Sequence, residues 1–249
     1  MSTLRAVIQL GALSLVFGLL AAACGGDSNP VISNTEVISE IPWAGPEAAR
    51  YHITQDDVEG TGILVLEESD GLLVLSQSFD VPEEEVTDTI VVEADPDTIR
   101  PLAVSRVIDG PDGVRICDAQ YVPSSVTVEQ VGEDEERTDV LDVPDPSYDT
   151  WADLFLWRTL DFRPGFEVSY RDVLTCGIGK PELLTVGLTV KGLETITVPA
   201  GTYDVWRLEI DSGGGTQDAW FADDASRVLV KYDNDLQVWE LESFETGAP

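Results

Sequence analysis

The sequence predicts an all-β protein: a curved antiparallel sheet or open β-barrel of about a dozen strands, with one short mid-chain helix. Three observations carry this. From about Arg50 onward, short runs rich in Val, Ile, Leu, Thr and aromatics alternate with Gly, Pro, Asp and Asn clusters. The turns recur often, as they do in sandwiches and barrels. One stretch, "DTWADLFLWRTLDF", breaks that pattern with apolar residues near helical spacing.

The elements follow in order. "GILVLEE" and "LLVLSQSF" flank Ser69-Asp70-Gly71, a hairpin signal. "TDTIVVEA" comes next and ends at the turn Asp95-Pro96-Asp97. "LAVSRVI" and "GVRICDA" flank Asp109 to Gly113, and "SVTVEQV" and "ERTDVLDV" flank Gly132 to Glu135. In "LLTVGLTV" Leu184, Val186, Leu188 and Val190 fall on one face, as in a half-buried antiparallel strand. "LETITV", "TYDVWRLEI", "TQDAWFA", "RVLVKY" and "LQVWELESF" complete the set. In "VPAGTYDVW" Pro199 ends a strand's hydrogen bonding and Gly201 permits a positive φ at the turn. No 20- to 50-residue period points to a propeller or solenoid. The helix is expected from Trp151 to about Leu160, capped by Thr150 with Asp153 at the capping-box position. Its place between two runs of strands suits a plug or cover for one end of a curved sheet.

The first residues are organised differently. Arg5 precedes an apolar stretch, Ala6 to Leu20, which ends in Ala21-Ala22-Ala23-Cys24 and then Gly25-Gly26. That is the plan of a secretory signal, and it has the wrong flank for a transmembrane helix. Small residues directly before a cysteine resemble the bacterial lipobox, with Ala21 where leucine is commoner. This resemblance implies cleavage before Cys24 and a diacylglyceryl group on its thiol. Several acyl chains on one residue would anchor stably, since each buried methylene contributes about 0.8 kcal/mol. Residues 1–23 are therefore expected to be a lipoprotein signal peptide and 24–49 a lipidated, flexible tether. Residues 50–249 are expected to be a single β domain in the cell envelope, on the extracytoplasmic side.

The totals exclude some functions. The 249 residues carry 47 acidic and 14 basic side chains, a formal charge of −33. That balance repels nucleic-acid phosphates, so no nucleic-acid partner is expected. The single histidine, His52, lies before the strand-rich core, and no G-x-S-x-G elbow accompanies it. One His and two Cys beyond the anchor do not make a zinc set, and "DNDL", "ADD" and "DGPDG" leave the EF-hand pattern incomplete. No cofactor, metal or catalytic residue is assigned. With so many acids, chance carboxylate pairs carry no weight toward a glycosidase-like reading. Most of the six tryptophans lie in strands or the helix, where core packing is the default role. An aromatic-lined cavity for a lipid or glycan is the sharper alternative.

Four blocks carry a family resemblance: "VVEADPDTIRPLAVSRVIDGPDG", "YDTWADLFLWRTLDFRPGFEVSY", "GLETITVPAGTYDVWRLEI" and "AWFADDASRVLVKY". In this order they resemble a widespread family of bacterial envelope β-proteins of unknown function, DUF-type domains labelled TapB-like. The resemblance spans about residues 85–245. It implies a curved antiparallel sheet or open barrel in the secreted compartment, similar in outline to lipoprotein-carrier barrels. It brings no catalytic residues. The helical block departs from the family pattern, with Thr159-Leu160-Asp161 in place of a more apolar run.

Cys117 and Cys176 remain. In an exported protein an even pair suggests a disulfide, with two unpaired buried thiols as the alternative. The functional expectation is a non-enzymatic, lipid-anchored envelope protein whose β domain binds an apolar ligand or an envelope partner. A structural or assembly lipoprotein with a solid core is the first alternative, and a carboxylate-dependent extracytoplasmic hydrolase the second. A Cys24→Ser variant is expected to move from the membrane pellet to the soluble fraction on cell fractionation. Retention as firm as wild type would contradict the anchor.

Overall fold

The computed structural model describes residues 36–133, 136–212 and 215–247. The expected signal peptide, Cys24 and the first part of the tether lie outside them. Fifteen strands form one sheet: β1 (Glu47–Gln55), β2 (Val58–Ser69), β3 (Leu72–Val81), β4 (Val86–Ala94), β5 (Pro101–Gly110), β6 (Gly113–Val122), β7 (Ser125–Val131), β8 (Glu136–Asp142), β9 (Tyr148–Asp149), β10 (Glu167–Leu174), β11 (Glu182–Val198), β12 (Gly201–Asp211), β13 (Thr216–Ala222), β14 (Leu229–Asp233) and β15 (Val238–Thr246).

The order across the sheet is β8-β7-β6-β5-β4-β3-β2-β1-β15-β14-β13-β12-β11-β10-β9. The chain runs out through eight strands, crosses to the far edge, and returns until β15 pairs antiparallel with β1. Among the described strands only β9 is parallel to its neighbour. The two edges, β8 and β9, are consecutive in sequence but share no ladder. The β2–β3 hairpin closes at the pair Ser69–Leu72, with Asp70 and Gly71 both at positive φ, 53° and 81°. That is a type I′ turn, whose twist matches the strands it joins.

Alternation sets one face inward. Leu73, Leu75 and Phe79 of β3, Ile90 and Val92 of β4, and Val186, Leu188 and Val190 of β11 are buried on it. Eight strands make a barrel that side chains can fill, and a wider one leaves a lumen. Here a ten-residue plug enters that space. It comprises a 3₁₀ turn (Thr150–Ala152), the α-helical turn α1 (Asp153–Leu156) and a second 3₁₀ turn (Trp157–Thr159). Every plug residue is buried, and Trp151, Ala152 and Leu156 are completely so. The helix thus lies where the sequence placed it, but its cap differs. Asp149, not Thr150, accepts the Trp151 amide at 3.0 Å. Asp153 turns inward to Tyr170.

The plug is tied to both halves of the sheet. Gln77 of β3 donates to the Trp151 carbonyl. Arg158 donates to Glu47 of β1 at 2.6 Å, and Trp157 Nε1 donates to the Tyr170 hydroxyl of β10 at 2.8 Å. The seam between the two ends of the sheet is closed by side chains. Cys117 of β6 is disulfide-bonded to Cys176, just past β10. Tyr121 of β6 donates to Asp149 of β9 at 2.7 Å, and Arg106 of β5 donates to the Cys176 carbonyl at 2.7 Å.

Part of the segment that composition assigns to the tether is packed. Val37 and Trp43 are buried, and the amides of Ser39 and Glu40 donate to the Thr159 carbonyl. The Arg158 guanidinium stacks over the Trp43 ring at 5.3 Å. Burial of these apolar side chains outweighs the Pro- and Ser-rich composition that reads as linker. Replacing both Cys117 and Cys176 by serine is expected to cost about 4 kcal/mol in urea unfolding, from the loop-closure entropy of their 59-residue separation. An unchanged midpoint would show that the seam needs no staple.

Candidate functional site

Three regions of the described structure could carry chemistry: the buried polar side of the plug, the seam, and a groove at one end. The first begins with three carboxyls. Asp149 ends β9, Asp153 opens α1, and Asp172 sits in β10, paired across the parallel ladder with Tyr148. All three are buried, Asp149 and Asp172 completely. Asp149 accepts from the Tyr121 and Thr175 hydroxyls and the Trp151 amide. Asp153 accepts from the Tyr170 hydroxyl at 2.6 Å, and Asp172 from the Thr150 hydroxyl.

Burial penalises the charged form of each carboxyl, and hydrogen bonds offset only part of this. It pushes Asp149 up to about 6, with the hydrogen bonds from Tyr121, Trp151 and Thr175 opposing. It pushes Asp172 up to about 7, against the bond from Thr150. Asp153 is raised well above the usual carboxylate range by burial and then by the charge of Asp172. In each case desolvation is the dominant cause.

At the seam, Arg106 and Asp88 form a two-pronged ion pair inside the sheet, at 3.0 and 2.6 Å. Burial raises the Asp88 carboxyl and Arg106 pulls it back. Arg106 also lies 4.4 Å from the Trp151 ring centroid, so one guanidinium joins sheet, plug and seam. Beside it a cavity of about 140 Å³ is lined by the disulfide, Arg115, Arg137 and Ile178.

The groove is larger, about 810 Å³, and open. Val37, Ile38, Pro144, Tyr148 and Leu183 give it apolar walls. Arg100 and Arg171 also line it, with Glu36, Asp97 and Asp145. Arg100 pairs with Asp145 at 2.6 Å. Arg171 donates to the Thr185 hydroxyl and, among the described residues, has no carboxylate partner.

Sequence reasoning singled out Cys117 and Cys176, and the structure joins them at the seam. His52 lies half-buried in β1, opposite Thr61 and Glu240 across its two ladders, away from the carboxyl cluster. Trp151, Trp157 and Trp239 are core. Trp206 and Trp220 are partly buried and donate to Asp223 and Glu194. The carboxyl cluster was missed, because 47 acids hide three. A partial signal exists: Asp149 and Asp153 stand at the start of a stretch rich in large apolar residues, Trp151, Leu154, Phe155, Leu156 and Trp157.

The fold and these regions define a class: an open antiparallel β-barrel-like protein whose interior is occupied by its own mid-chain segment. The chain belongs to the family described as "Protein of unknown function (DUF3108)", whose model matches residues 47–238. Among solved structures it is similar to a β-barrel-like protein of the domain of unknown function DUF1849 from Brucella abortus. The TM-score is 0.52 at 13% identity, over 82% of this chain and 98% of that one, and the likeness is one of fold. A putative exported protein with a YmcC-like fold from Bacteroides fragilis aligns over 86% of this chain and 98% of its own, at 11% identity and a TM-score of 0.27. No curated protein matches the chain.

The three carboxyls hold their protons more tightly folded than unfolded, so they stabilise the fold most below about pH 4. That contribution is lost as pH rises through about 6 for Asp149 and about 7 for Asp172. An Asp172→Asn variant, melted in chelator, is expected to match wild type at pH 4. At pH 7.5 it should exceed wild type by roughly 2–4 kcal/mol, because each tenfold change in proton affinity is worth about 1.4 kcal/mol. Parallel stability curves for the two proteins would contradict a protonated core carboxyl.

Proposed function

We propose that the chain is a non-enzymatic, extracytoplasmic binding domain, anchored through a lipid on Cys24, that takes its ligand in the end groove and not inside the barrel. The observation that carries this is the pairing of a filled interior with an open groove. The plug's Trp151 and Leu156 are completely buried where a carrier barrel would hold cargo. The groove, at about 810 Å³, falls in the range of small-molecule sites. Its apolar walls suit an amphiphile with one acidic head, the apolar part along Val37, Ile38 and Leu183 and the head at Arg171, away from the Glu36, Asp97 and Asp145 carboxylates that share the lining. Of the groove's two guanidiniums, Arg100 is paired with Asp145, which leaves Arg171 to meet the head.

The hydrolase reading gains no support, since Asp149, Asp153 and Asp172 are enclosed in the core and bonded to neighbouring side chains. The filled interior also favours a second reading, an assembly role in which the groove receives a partner's apolar segment. A fluorescent long-chain fatty acid separates the two. Wild type is expected to bind it, and Leu183→Asp and Arg171→Ala are each expected to weaken binding by about tenfold, or roughly 1.4 kcal/mol. Wild-type binding unaffected by either substitution would contradict the groove. Absence of any binding would favour the assembly role.

A further inference from the structure

On one half of the sheet, several partly exposed acids are met by a base on the neighbouring strand. Lys191 reaches Glu209 at 2.6 Å, Arg207 reaches Asp218 at 2.8 Å, Lys231 reaches Glu240 at 3.6 Å and Arg50 reaches Glu242 at 3.0 Å. Strands β5 to β8 differ. Arg106, Cys117, Gln130 and Arg137 form one cross-strand row turned toward the seam, and Arg115, two residues before Cys117, shares that side. Lys180 reaches Asp139, which alternation also puts there. The outward face of these four strands keeps Asp109, Asp118, Glu129, Glu136 and Asp142 and none of their bases. Asp118 and Glu129 stand directly opposite each other in the β6–β7 ladder. Like charges so placed cost stability.

Beside that acidic pair lies an apolar row. Val107 pairs with Ile116 and Ile116 with Val131, across three strands, and Val114 adjoins them on β6. All four are 38% to 48% exposed, in strands whose other face is core or seam. An apolar patch rimmed by charge marks an interaction surface. We propose that the outward face of β5–β8 is a docking surface for a basic amphipathic segment of a partner protein. The segment's apolar side lies on Val107, Ile116 and Val131, and its Lys or Arg side chains reach Asp118, Glu129 and Glu136.

Charge decides among the occupants. A second copy of the chain would bring the same acids to the contact, on a molecule that itself carries −33. An anionic membrane is repelled by the same face. A wholly apolar ligand would leave Asp118 and Glu129 opposed and partly stripped of water. A segment with apolar and basic groups covers the row and relieves the opposed pair in one contact. Complementary charge of this kind also steers encounter and selects the partner. None of these residues lines the end groove, so the two surfaces are tested separately.

The test is fluorescence anisotropy of two labelled peptides titrated with the full chain in about 0.15 M salt, where long-range attraction is largely screened. One peptide is an amphipathic helix of leucine and lysine, and the other has serine for every leucine at the same charge. Wild type is expected to bind the leucine peptide about tenfold more tightly than the serine peptide. Ile116→Ser combined with Val131→Ser is expected to remove that advantage, and Glu129→Gln to weaken binding about threefold. Leu193→Ser, at an exposed leucine of β11, is expected to change nothing. Equal binding of the two peptides would overturn the surface, since charge alone would then hold them. So would a leucine preference that survives Ile116→Ser with Val131→Ser. Dimers in sedimentation, or pelleting with phosphatidylglycerol vesicles, that vanish in that double variant would overturn the partner segment and assign the face to a second copy or to a membrane.

Discussion

The structure depends on burying one ten-residue segment inside a sheet too wide to fill itself. Fifteen strands curled toward closure enclose more space than their own inward side chains can occupy. The plug supplies the missing volume with Trp151, Leu154, Phe155, Leu156 and Trp157, all buried. Each of these contributes roughly 1.5–3 kcal/mol when removed from water. That gain holds the sheet curled. The seam bonds then fix how far it closes, because the strands at the edges share no ladder.

Filling a lumen with backbone brings polar groups inside, and they need partners. Gln77 meets the Trp151 carbonyl, Asp149 meets the Trp151 amide, and the Ser39 and Glu40 amides meet the Thr159 carbonyl. The same logic explains Arg106. Its guanidinium is buried against Asp88, stacked on Trp151 and bonded to the Cys176 carbonyl, so its charge and its donors are met together. Among the described residues the carboxyls of Asp149, Asp153 and Asp172 have hydroxyl and amide donors but no cation, which makes them the least settled part of the core. That imbalance sets them apart from the many acids on the surface.

Much of the fold was legible in the sequence for local reasons. The Asp70-Gly71 hairpin, the alternation from Leu184 to Val190 and the helical spacing from Trp151 onward each rest on neighbours in the chain. Long-range choices were not legible. Nothing in either strand's own pattern says that β1 pairs with β15, and β9, two residues long and parallel, carries too little pattern to recognise. The cap went to Asp149 because Asp153 was needed at Tyr170, a residue of another element. Residues 36–46 read as linker by composition, yet Val37 and Trp43 find apolar ground supplied by distant strands and the plug. The groove was hidden for the same reason, and of the carboxyl cluster only Asp149 and Asp153 stood out by their place beside the apolar helical run, among 47 acids.

If the plug holds the sheet curled, the two must open as one cooperative unit. Native-state hydrogen exchange of the intact, oxidised chain reads this out residue by residue. Amides of residues 150–160 are predicted to exchange in the slowest class, together with those of β3, β4 and β10, through a single opening event. Exchange of residues 150–160 well ahead of those strands would contradict it. The plug would then leave while the sheet keeps its shape, and the barrel would be a hollow container after all.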